Sequence, residues 1–404
     1  MRFLSLFLVI AILLSGCHMH TGEPLSTTTS MTTEAPVPAF TIPAYEETEM
    51  PKDTTSTATE PTVPTEPVFN PYTIIETMSI DALVGQLFLA RCPDTNAVED
   101  IAEFHLGGFV LFGRDFANET PSTIRSQIDI YQSASQIPML IATDEEGGTV
   151  TRVSSYSQFR ASRFSSPRNL YNNGGIDLIL ETELEKCQLL KSLGVNVNLG
   201  PVCDITTDPE SFMYKRSLGE SPAVTGAFAA EVCNLMKQEK LGSVLKHFPG
   251  YGNNVDTHTG IARDSRSLEQ LEASDLVPFR AGIAAGCDGI LVSHTIIEAL
   301  DPELPASLSP AVNRHLRKDL GFDGVIITDD LIMEAITDQF GAEEAAILAI
   351  LAGSDILCSS EYQIQYKAVL DAVNSGRIPL EQIYESVARI LKWKHCLGLI
   401  ENET

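Results

Sequence analysis

The chain has 404 residues, and 44% of them are hydrophobic, so it is long enough to bury a large core. It carries 54 acidic and 27 basic residues, which gives a formal net charge of −27 at pH 7. Proteins that bind nucleic acid need clustered basic residues to neutralise phosphates, so this charge argues against nucleic acid as a partner. An acidic surface is compatible with a neutral substrate such as a sugar, although many proteins carry such a charge for solubility alone.

The first 17 residues have the pattern of a secretory signal peptide. Arg2 is followed by an apolar run over residues 3–14 and then by Ser15-Gly16-Cys17. This run is shorter than the roughly 20 apolar residues that a membrane-spanning helix needs. Residues 14–17 resemble a bacterial lipobox, after which cleavage leaves Cys17 as the lipid-carrying first residue. We therefore expect a lipoprotein at the extracellular face of the bacterial cytoplasmic membrane; the alternative is an ordinary signal peptide with a chance cysteine.

Residues 18–70 differ sharply in composition from the rest of the chain. They are dominated by Thr, Pro, Ser and Glu, as in TTTSMTTEAPVP and TSTATEPTVPTEP, and contain few large apolar residues. Such a segment cannot bury enough apolar surface to fold, so it is predicted to be a disordered linker between the anchor and a folded domain at 71–404.

The segment 71–404 is predicted to form a (β/α)8 barrel. Eight apolar runs of strand length alternate with helical patterns, at residues 85–92, 108–112, 138–143, 195–201, 242–247, 289–294, 324–328 and 354–358. Near-continuous apolar runs are typical of parallel strands that are buried on both faces. Helix signals lie between them, as where Ser309 can cap a helix, Pro310 suits its first turn and Gly321 can end it. Eight strand–helix units favour a closed barrel over an open doubly wound sheet.

The cysteines beyond Cys17 show no pattern of a disulfide framework or a metal site. They are odd in number and lack CxxC spacing, so we expect buried, unpaired thiols at Cys92, Cys187, Cys203, Cys233, Cys287, Cys358 and Cys396.

Polar residues follow five of the predicted strands at the point where each strand ends. In barrels of this type the carboxyl ends of the strands meet at one rim, where active sites are built. Any single aspartate there can be a helix cap, but five such positions on one rim indicate a functional site. They are the segment 144–148 (DEEGG), Asp204, the pair Lys246-His247, His294 and the pair Asp329-Asp330.

The most specific motif is the segment 246–258, KHFPGYGNNVDTH. It resembles the signature of glycoside hydrolase family 3, in the NagZ-like branch of β-N-acetylhexosaminidases in its single-domain form. Further motifs of the same family follow in order, and the resemblance extends over roughly residues 74–399. They are DEEGGTVTR at 144–152, KRSLG at 215–219, VSH ending at residue 294 and IITDDLIM at 326–333.

The resemblance implies a role for each matched residue in a retaining mechanism. Asp329 is implied to be the nucleophile that forms a covalent glycosyl–enzyme intermediate. His258 is implied to be the acid/base, with Asp256 as the partner that orients it and favours its protonated form. The alternative is that Asp330 is the working carboxylate and Asp329 a helix cap.

The family also implies which residues bind the terminal sugar. They are Asp144, Arg152, Arg216, Lys246 and His247, with His294 and Asp204 as weaker candidates that only shape the pocket. Salt bridges across the barrel rim are the alternative for Arg152 and Arg216. Tyr251 stands where many relatives have His, so we assign its side chain no role. No cofactor and no metal are implied.

The predicted function is therefore removal of terminal β-linked N-acetylglucosamine. For an enzyme anchored outside the cell, the expected substrates are peptidoglycan fragments (muropeptides). The expected oligomeric state is a monomer. The sequence alone leaves three substrates open, namely muropeptides, chitin oligomers and host glycans. It also leaves open whether water or phosphate accepts the glycosyl group. One rival interpretation is a β-glucosidase or β-xylosidase, but the acid/base of those enzymes usually comes from a C-terminal domain, for which we expect no room. The other is a glycan-binding lipoprotein without activity. A metal-dependent hydrolase is disfavoured because no close His-x-His pair follows the first strand.

Overall fold

The computed structural model describes residues 69–252 and 262–402. Eight parallel strands form one sheet. They are β1 (Phe88–Arg91), β2 (Gly108–Leu111), β3 (Leu140–Thr143), β4 (Val197–Asn198), β5 (Gly242–Phe248), β6 (Gly289–Val292), β7 (Val325–Thr328) and β8 (Leu357–Ser359). Their order in the sheet is 8-1-2-3-4-5-6-7.

The two end strands of this sheet meet. The backbone N–H of Thr328 donates to the carbonyl of Ile356, and the N–H of Ile356 donates to the carbonyl of Ile326, both at 3.0 Å. These bonds join β7 to the start of β8 and close the sheet around its lumen. The predicted (β/α)8 barrel is therefore confirmed.

Helices cover the outside of the barrel between successive strands. They are α1 (Tyr72–Ile75), α2 (Ile80–Gln86), α3 (Ala97–Phe104), α4 (Gly113–Phe116), α5 (Pro121–Ala134), α6 (Pro167–Leu193), α7 (Pro222–Gln238), α8 (Leu268–Ala273), α9 (Leu276–Ala284), α10 (Pro310–Arg314), α11 (Glu334–Phe340), α12 (Ala342–Ala352), α13 (Tyr362–Asn374) and α14 (Leu380–Cys396). A π-helical turn, His315–Asp319, continues α10, and a short parallel pair joins Arg263–Asp264 to Ile296–Ile297.

The helix predicted to begin at Ser309 is confirmed in detail. The Ser309 hydroxyl accepts a hydrogen bond from the N–H of Val312, and Pro310 occupies the first turn, where its missing N–H is not needed. Gly321 follows the π-helical turn with a φ of +70°, a conformation that costs glycine little. The same Ser-Pro start opens α6 and α7.

Each of the eight predicted runs overlaps a strand, but the first and fourth runs extend well beyond the strand that they contain. Residues 85 and 86 end α2 instead of starting β1, because Ser79 caps this helix and Gly85 packs against the carbonyl oxygen of Phe104, where a Cβ atom would lie only 2.1 Å away. The fourth run, 195–201, contains only Val197–Asn198 as strand. Pro201 has no N–H to donate, so the ladder breaks there.

The cysteine prediction is confirmed for six of the seven thiols and wrong for one. Cys92, Cys187, Cys203, Cys233, Cys287 and Cys358 are buried and unpaired, whereas Cys396 is unpaired but exposed. Cys396 is the last residue of α14 and lies on the solvent-facing side of this helix, one turn after the exposed Lys392. Within residues 69–252 and 262–402, no helix is long and apolar enough to cross a membrane.

Candidate active site

A cavity of about 310 Å³ opens at the carboxyl end of the barrel strands. Its volume is close to the lower limit, about 300 Å³, of ordinary ligand pockets, which suits a small group such as one sugar ring. Six of the residues predicted from the sequence line it together. They are Asp144, Arg152, Arg216, Lys246, His247 and Asp329, and further lining residues include Glu146, Phe112, Phe212, Tyr251, Asp330 and Ile332.

The ends of three strands bring these side chains together. Asp144 directly follows β3, Lys246 and His247 lie near the end of β5, and Asp329 directly follows β7. Because all barrel strands run in parallel, their carboxyl ends meet at one rim, although these residues are far apart in the chain.

Lys246 lies at the centre of a buried charge cluster. Its Nζ atom is 2.6 Å from Asp144 Oδ1 and 2.6 Å from Glu146 Oε1, and its side chain is 2% exposed. Burial by itself lowers the pKa of Lys246, but the two carboxylates outweigh burial and raise this pKa above its ordinary value. Burial likewise acts to raise the pKa of Asp144, yet the charges of Lys246 and Arg152 hold it below its ordinary value. The cluster is therefore fully ionised at neutral pH.

Glu146 connects this lysine to Arg216. Arg216 Nη2 lies 2.7 Å from Glu146 Oε1 and Arg216 Nε lies 2.9 Å from Oε2, which is a bidentate pair. Burial acts to raise the pKa of Glu146, but the adjacent charges of Lys246 and Arg216 outweigh it and hold this pKa far below its ordinary value. Glu146 was not among the site residues predicted from the sequence. The feature that could have indicated it is its place in the acidic run after β3, next to Asp144.

Asp204 fixes the orientation of His247. Its Oδ2 atom lies 2.7 Å from His247 Nδ1 and accepts the backbone N–H of His247 at 3.1 Å, while its Oδ1 accepts the N–H of Tyr251 at 2.8 Å. His247 Nε2 lies 3.1 Å from Arg216 Nη2. A carboxylate can only accept and a guanidinium can only donate, so neutral His247 with its proton on Nδ1 satisfies both neighbours. Asp204 thus shapes the site by holding a lining residue.

Asp329 and its neighbour Asp330 have different surroundings. Asp329 donates its N–H to the carbonyl of Val292 in β6 at 2.9 Å, and its Oδ1 accepts the N–H of Asp330 at 2.9 Å. In Asp330 both carboxyl oxygens have partners, because Oδ1 accepts the N–H groups of Ile332 and Ser360 and Oδ2 accepts the Ser360 hydroxyl. Burial raises the pKa of Asp330. The geometry favours Asp329 over Asp330 as the reacting carboxylate.

The predicted residues Arg152 and His294 have different relations to the cavity. Arg152 lines it, but its Nη2 atom is 3.5 Å from Asp144 Oδ2, a long contact, and its guanidinium lies over the ring of Phe112. His294 is fully buried and does not line the cavity. Its Nδ1 lies 2.7 Å from the Ser307 hydroxyl, and its Nε2 lies 3.0 Å from the carbonyl of Asp330. For His294 this placement favours the alternative that it shapes the pocket over direct binding of sugar.

The predicted residues Asp256, His258 and Cys17 lie outside the described residues. Among residues 69–252 and 262–402, no group of three or more His, Cys, Asp or Glu side chains is arranged to hold a metal ion.

A barrel with carboxylates at the carboxyl ends of its strands and a cavity for one sugar ring is an arrangement that fits a glycoside hydrolase. The chain belongs to glycosyl hydrolase family 3, because the N-terminal domain profile of that family matches residues 79–393. It is similar to β-hexosaminidase LpqI of Mycobacterium tuberculosis, with 31% identity over 315 residues that cover 74% of this chain and 78% of the relative.

Solved structures agree with this assignment. A glycoside hydrolase family 3 β-N-acetylglucosaminidase from Paenibacillus sp. str. FPU-7 superposes with a TM-score of 0.75 at 31% identity, covering 81% of this chain and 64% of that protein. This chain therefore spans slightly less than two thirds of the Paenibacillus protein. The structure of M. tuberculosis LpqI superposes with a TM-score of 0.74 at 27% identity, covering 81% of this chain and 96% of that protein.

The Glu146→Gln variant should make the acid limb of the stability curve less steep. Folding lowers the pKa of Glu146, so its ionised carboxylate contributes to the free energy of unfolding above the unfolded pKa of about 4.3. This contribution is lost as the pH falls below that value, and the free energy of unfolding then changes by about 1.4 kcal/mol per pH unit. We expect the variant to lose that part of the slope in urea unfolding measured between about pH 5 and pH 3.

A matched control for this measurement is Glu185→Gln, since Glu185 pairs with Arg160 at the surface and its side chain is 53% exposed. This variant should change the curve much less, because solvent screens the pair. An acid limb in Glu146→Gln as steep as in the wild type would contradict the assignment of Glu146 as an ionised partner of Lys246 and Arg216.

Proposed function

We propose that this protein is a retaining exo-β-N-acetylglucosaminidase that hydrolyses terminal β-linked N-acetylglucosamine. The observation that carries the proposal is the presence of Asp329 in the same cavity as the cluster of Lys246, Glu146 and Arg216. The relatives named β-hexosaminidase and β-N-acetylglucosaminidase support the choice of sugar.

In the first step, a carboxylate oxygen of Asp329 attacks the anomeric carbon while the bond from that carbon to the leaving oxygen breaks. The leaving oxygen takes a proton from the acid, and a covalent glycosyl–enzyme remains. In the second step, water gives a proton to the same group, attacks the anomeric carbon and frees Asp329. The N–H of Asp330, which donates to Asp329 Oδ1, holds the carboxylate in place and leaves its other oxygen available.

The charge cluster supplies the contacts to the bound sugar. Lys246 and Arg216 can donate to hydroxyl oxygens, Asp144 can accept from hydroxyl groups, and all three are already fixed by ion pairs. A site of buried polar groups discriminates strongly against ligands that leave those groups unpaired. The cluster therefore supports an exo-acting enzyme that holds one terminal sugar.

His258 is the proposed acid and base of both steps, with Asp256 as its orienting partner. This assignment is supported by the DTH triplet in the family motif. The imidazole titrates near neutral pH, so one group can give a proton in the first step and take one in the second.

The proposed location is the extracellular face of the bacterial cytoplasmic membrane, with the lipid on Cys17 as the anchor. It is supported by the LSGC sequence at residues 14–17 and by the Thr-, Pro-, Ser- and Glu-rich composition of residues 18–70, which predicts a linker. An anchored enzyme outside the cell meets peptidoglycan fragments, so these are the proposed substrates.

The Asp329→Asn variant should lose activity by about three orders of magnitude or more, because an amide cannot act as the nucleophile. The assay is release of 4-nitrophenol from the aryl β-N-acetylglucosaminide and, for comparison, from the aryl β-glucoside. We expect the wild type to prefer the acetamido sugar. Asp330→Asn is the matched control and should lose much less; the reverse order of the two variants would make Asp330 the nucleophile, and a preference for glucoside would refute the proposed sugar.

The His258→Ala variant should affect substrates according to their leaving group. General acid catalysis contributes about 10²- to 10⁴-fold where the leaving oxygen is a poor leaving group. A disaccharide should therefore lose activity by about this factor, whereas a 4-nitrophenyl glycoside, which needs little protonation, should lose far less in its first step. The check is the burst of 4-nitrophenol followed by steady-state rates, and equal loss for both substrates would exclude an acid role.

The Cys17→Ala variant should release the protein from the membrane when it is expressed with its own signal peptide. The lipid is attached through the thiol, and alanine offers no such atom. The measurement is the distribution of the protein between membrane and soluble fractions after cell lysis. Continued membrane association of this variant, in the presence of high salt, would remove the proposal of a lipid anchor.

A further inference from the structure

The loop between β4 and α7 carries two residues of the cavity wall, Phe212 and Arg216. It runs over residues 199–221 and consists of turns and extended segments without a helix. Loops of more than about 12–15 residues without regular structure are uncommon in compact domains and are usually functional. Because no helix or sheet fixes its backbone, this loop needs contacts from outside to keep Arg216 at its ion pair with Glu146.

Arg168, in the first turn of α6, supplies such contacts. Its Nε atom donates to the carbonyl of Tyr214 at 3.1 Å, and its Nη2 atom donates to the carbonyl of Thr206 at 2.9 Å and to the hydroxyl of Ser217 at 3.0 Å. Its Cζ atom also lies 4.0 Å from the centroid of the Tyr214 ring. One planar group thus joins the start of the loop to the residues on either side of Arg216.

These contacts are specific to an arginine at position 168. All three acceptors are uncharged oxygens, and a hydrogen bond from an ionised donor is stronger than one between neutral groups. Gly219 lets the guanidinium lie close to the end of the loop, because a Cβ atom there would lie only 2.0 Å from Arg168 Cζ. A lysine would keep the charge but has no planar fork with which to reach several acceptors at once.

The start of α6 also contacts the loop that carries Glu146, the partner of Arg216. The carbonyl of Phe164 accepts the N–H of Gly148 at 2.8 Å, and Gly148 lies in the turn that follows Glu146. The segment 164–168 therefore contacts both loops whose side chains form the bidentate pair of Glu146 and Arg216. Arg168 itself does not line the cavity.

We propose that Arg168 is a positioning residue for binding of the terminal sugar, and that it acts through the loop of Arg216. The inference rests on the proposed function, in which Arg216 donates to a hydroxyl oxygen of that sugar. Arg168 touches no substrate, and its role is to keep the backbone beside Arg216 where the guanidinium of Arg216 meets both Glu146 and the sugar. A misplacement of about 1 Å in a binding group can cost about 10²-fold in rate, so loss of these contacts has a measurable effect.

The test is the Arg168→Gln variant of the full chain. The measurements are kcat and KM for the aryl β-N-acetylglucosaminide and the inhibition constant of free N-acetylglucosamine, which reports equilibrium binding of the sugar. We expect KM and the inhibition constant each to rise by about tenfold, the size of one hydrogen bond to a charged group. A variant that only folds less well has fewer active molecules, so its kcat falls while both constants stay unchanged, and that result overturns the inference. Arg168→Lys is the milder change if Arg168→Gln does not fold, and it should raise both constants by a smaller factor.

A double-mutant cycle checks that the effect passes through Arg216. Arg216→Lys keeps a cation beside Glu146 but removes the planar fork. In this background Arg168→Gln should raise the inhibition constant by about threefold or less, a remainder due to Phe212 on the same loop, because changes at residues that act together are not additive. The full tenfold rise in this background, as independent sites would give, overturns the inference.

Arg163→Gln is the matched control, since it removes an exposed arginine shortly before α6. It should leave both constants unchanged, and an equal rise would assign the effect to net charge and overturn the inference. If the wild type hydrolyses the aryl glycoside and Arg168→Gln binds the sugar equally well, the inference fails and the proposed function stands. If the wild type hydrolyses no β-N-acetylglucosaminide, the proposed function fails, and the inference fails with it.

Discussion

Burial of the Lys246 ammonium group is the constraint on which the rest of the site depends. An ammonium group that is 2% exposed is unfavourable unless opposite charges replace the lost water, and Asp144 and Glu146 do so at 2.6 Å each. Two carboxylates around one lysine leave an excess negative charge, which Arg216 balances through its bidentate pair with Glu146. Lys246 and Glu146 each have two partners in this cluster, so removal of either one deprives two buried groups of an opposite charge. The geometry of this side of the cavity is therefore set before any ligand binds.

The barrel makes this cluster possible because it brings distant parts of the chain to one rim. The loop after β3 supplies the carboxylates, β5 supplies the lysine, and the segment before α7 supplies Arg216. Asp204, after β4, joins the same network through His247, which contacts Arg216. Three stretches of chain, the loop after β3, the loop between β4 and α7, and β5, are thus tied together at the open end. The ion pairs and hydrogen bonds that fix the site residues also hold in place the loops on which these residues lie.

Much of the fold and part of the site could be predicted from the sequence. The strands were visible because strands buried on both faces must be apolar throughout, and Asp144, Lys246, His247 and Asp329 were visible because they follow such runs. Glu146 was not selected, since composition cannot say which of several adjacent acidic residues faces the lumen. The first strand was predicted too long for a similar reason. The packing of Gly85 against a distant helix end depends on contacts that no local pattern records.

The hydrogen bonds of Asp204 have a consequence for the wall of the cavity at Tyr251. Asp204 holds the loop through the main-chain N–H groups of residues 247 and 251. The Tyr251 side chain itself is buried and packs with Val202 and Met213. Tyr251 places its ring edge-on against His247 and Phe212, with centroids 5.2 and 4.9 Å apart. The loop thus combines a backbone that Asp204 holds with an aromatic side chain that forms part of the cavity wall, so one carboxylate positions both His247 and the wall beside it.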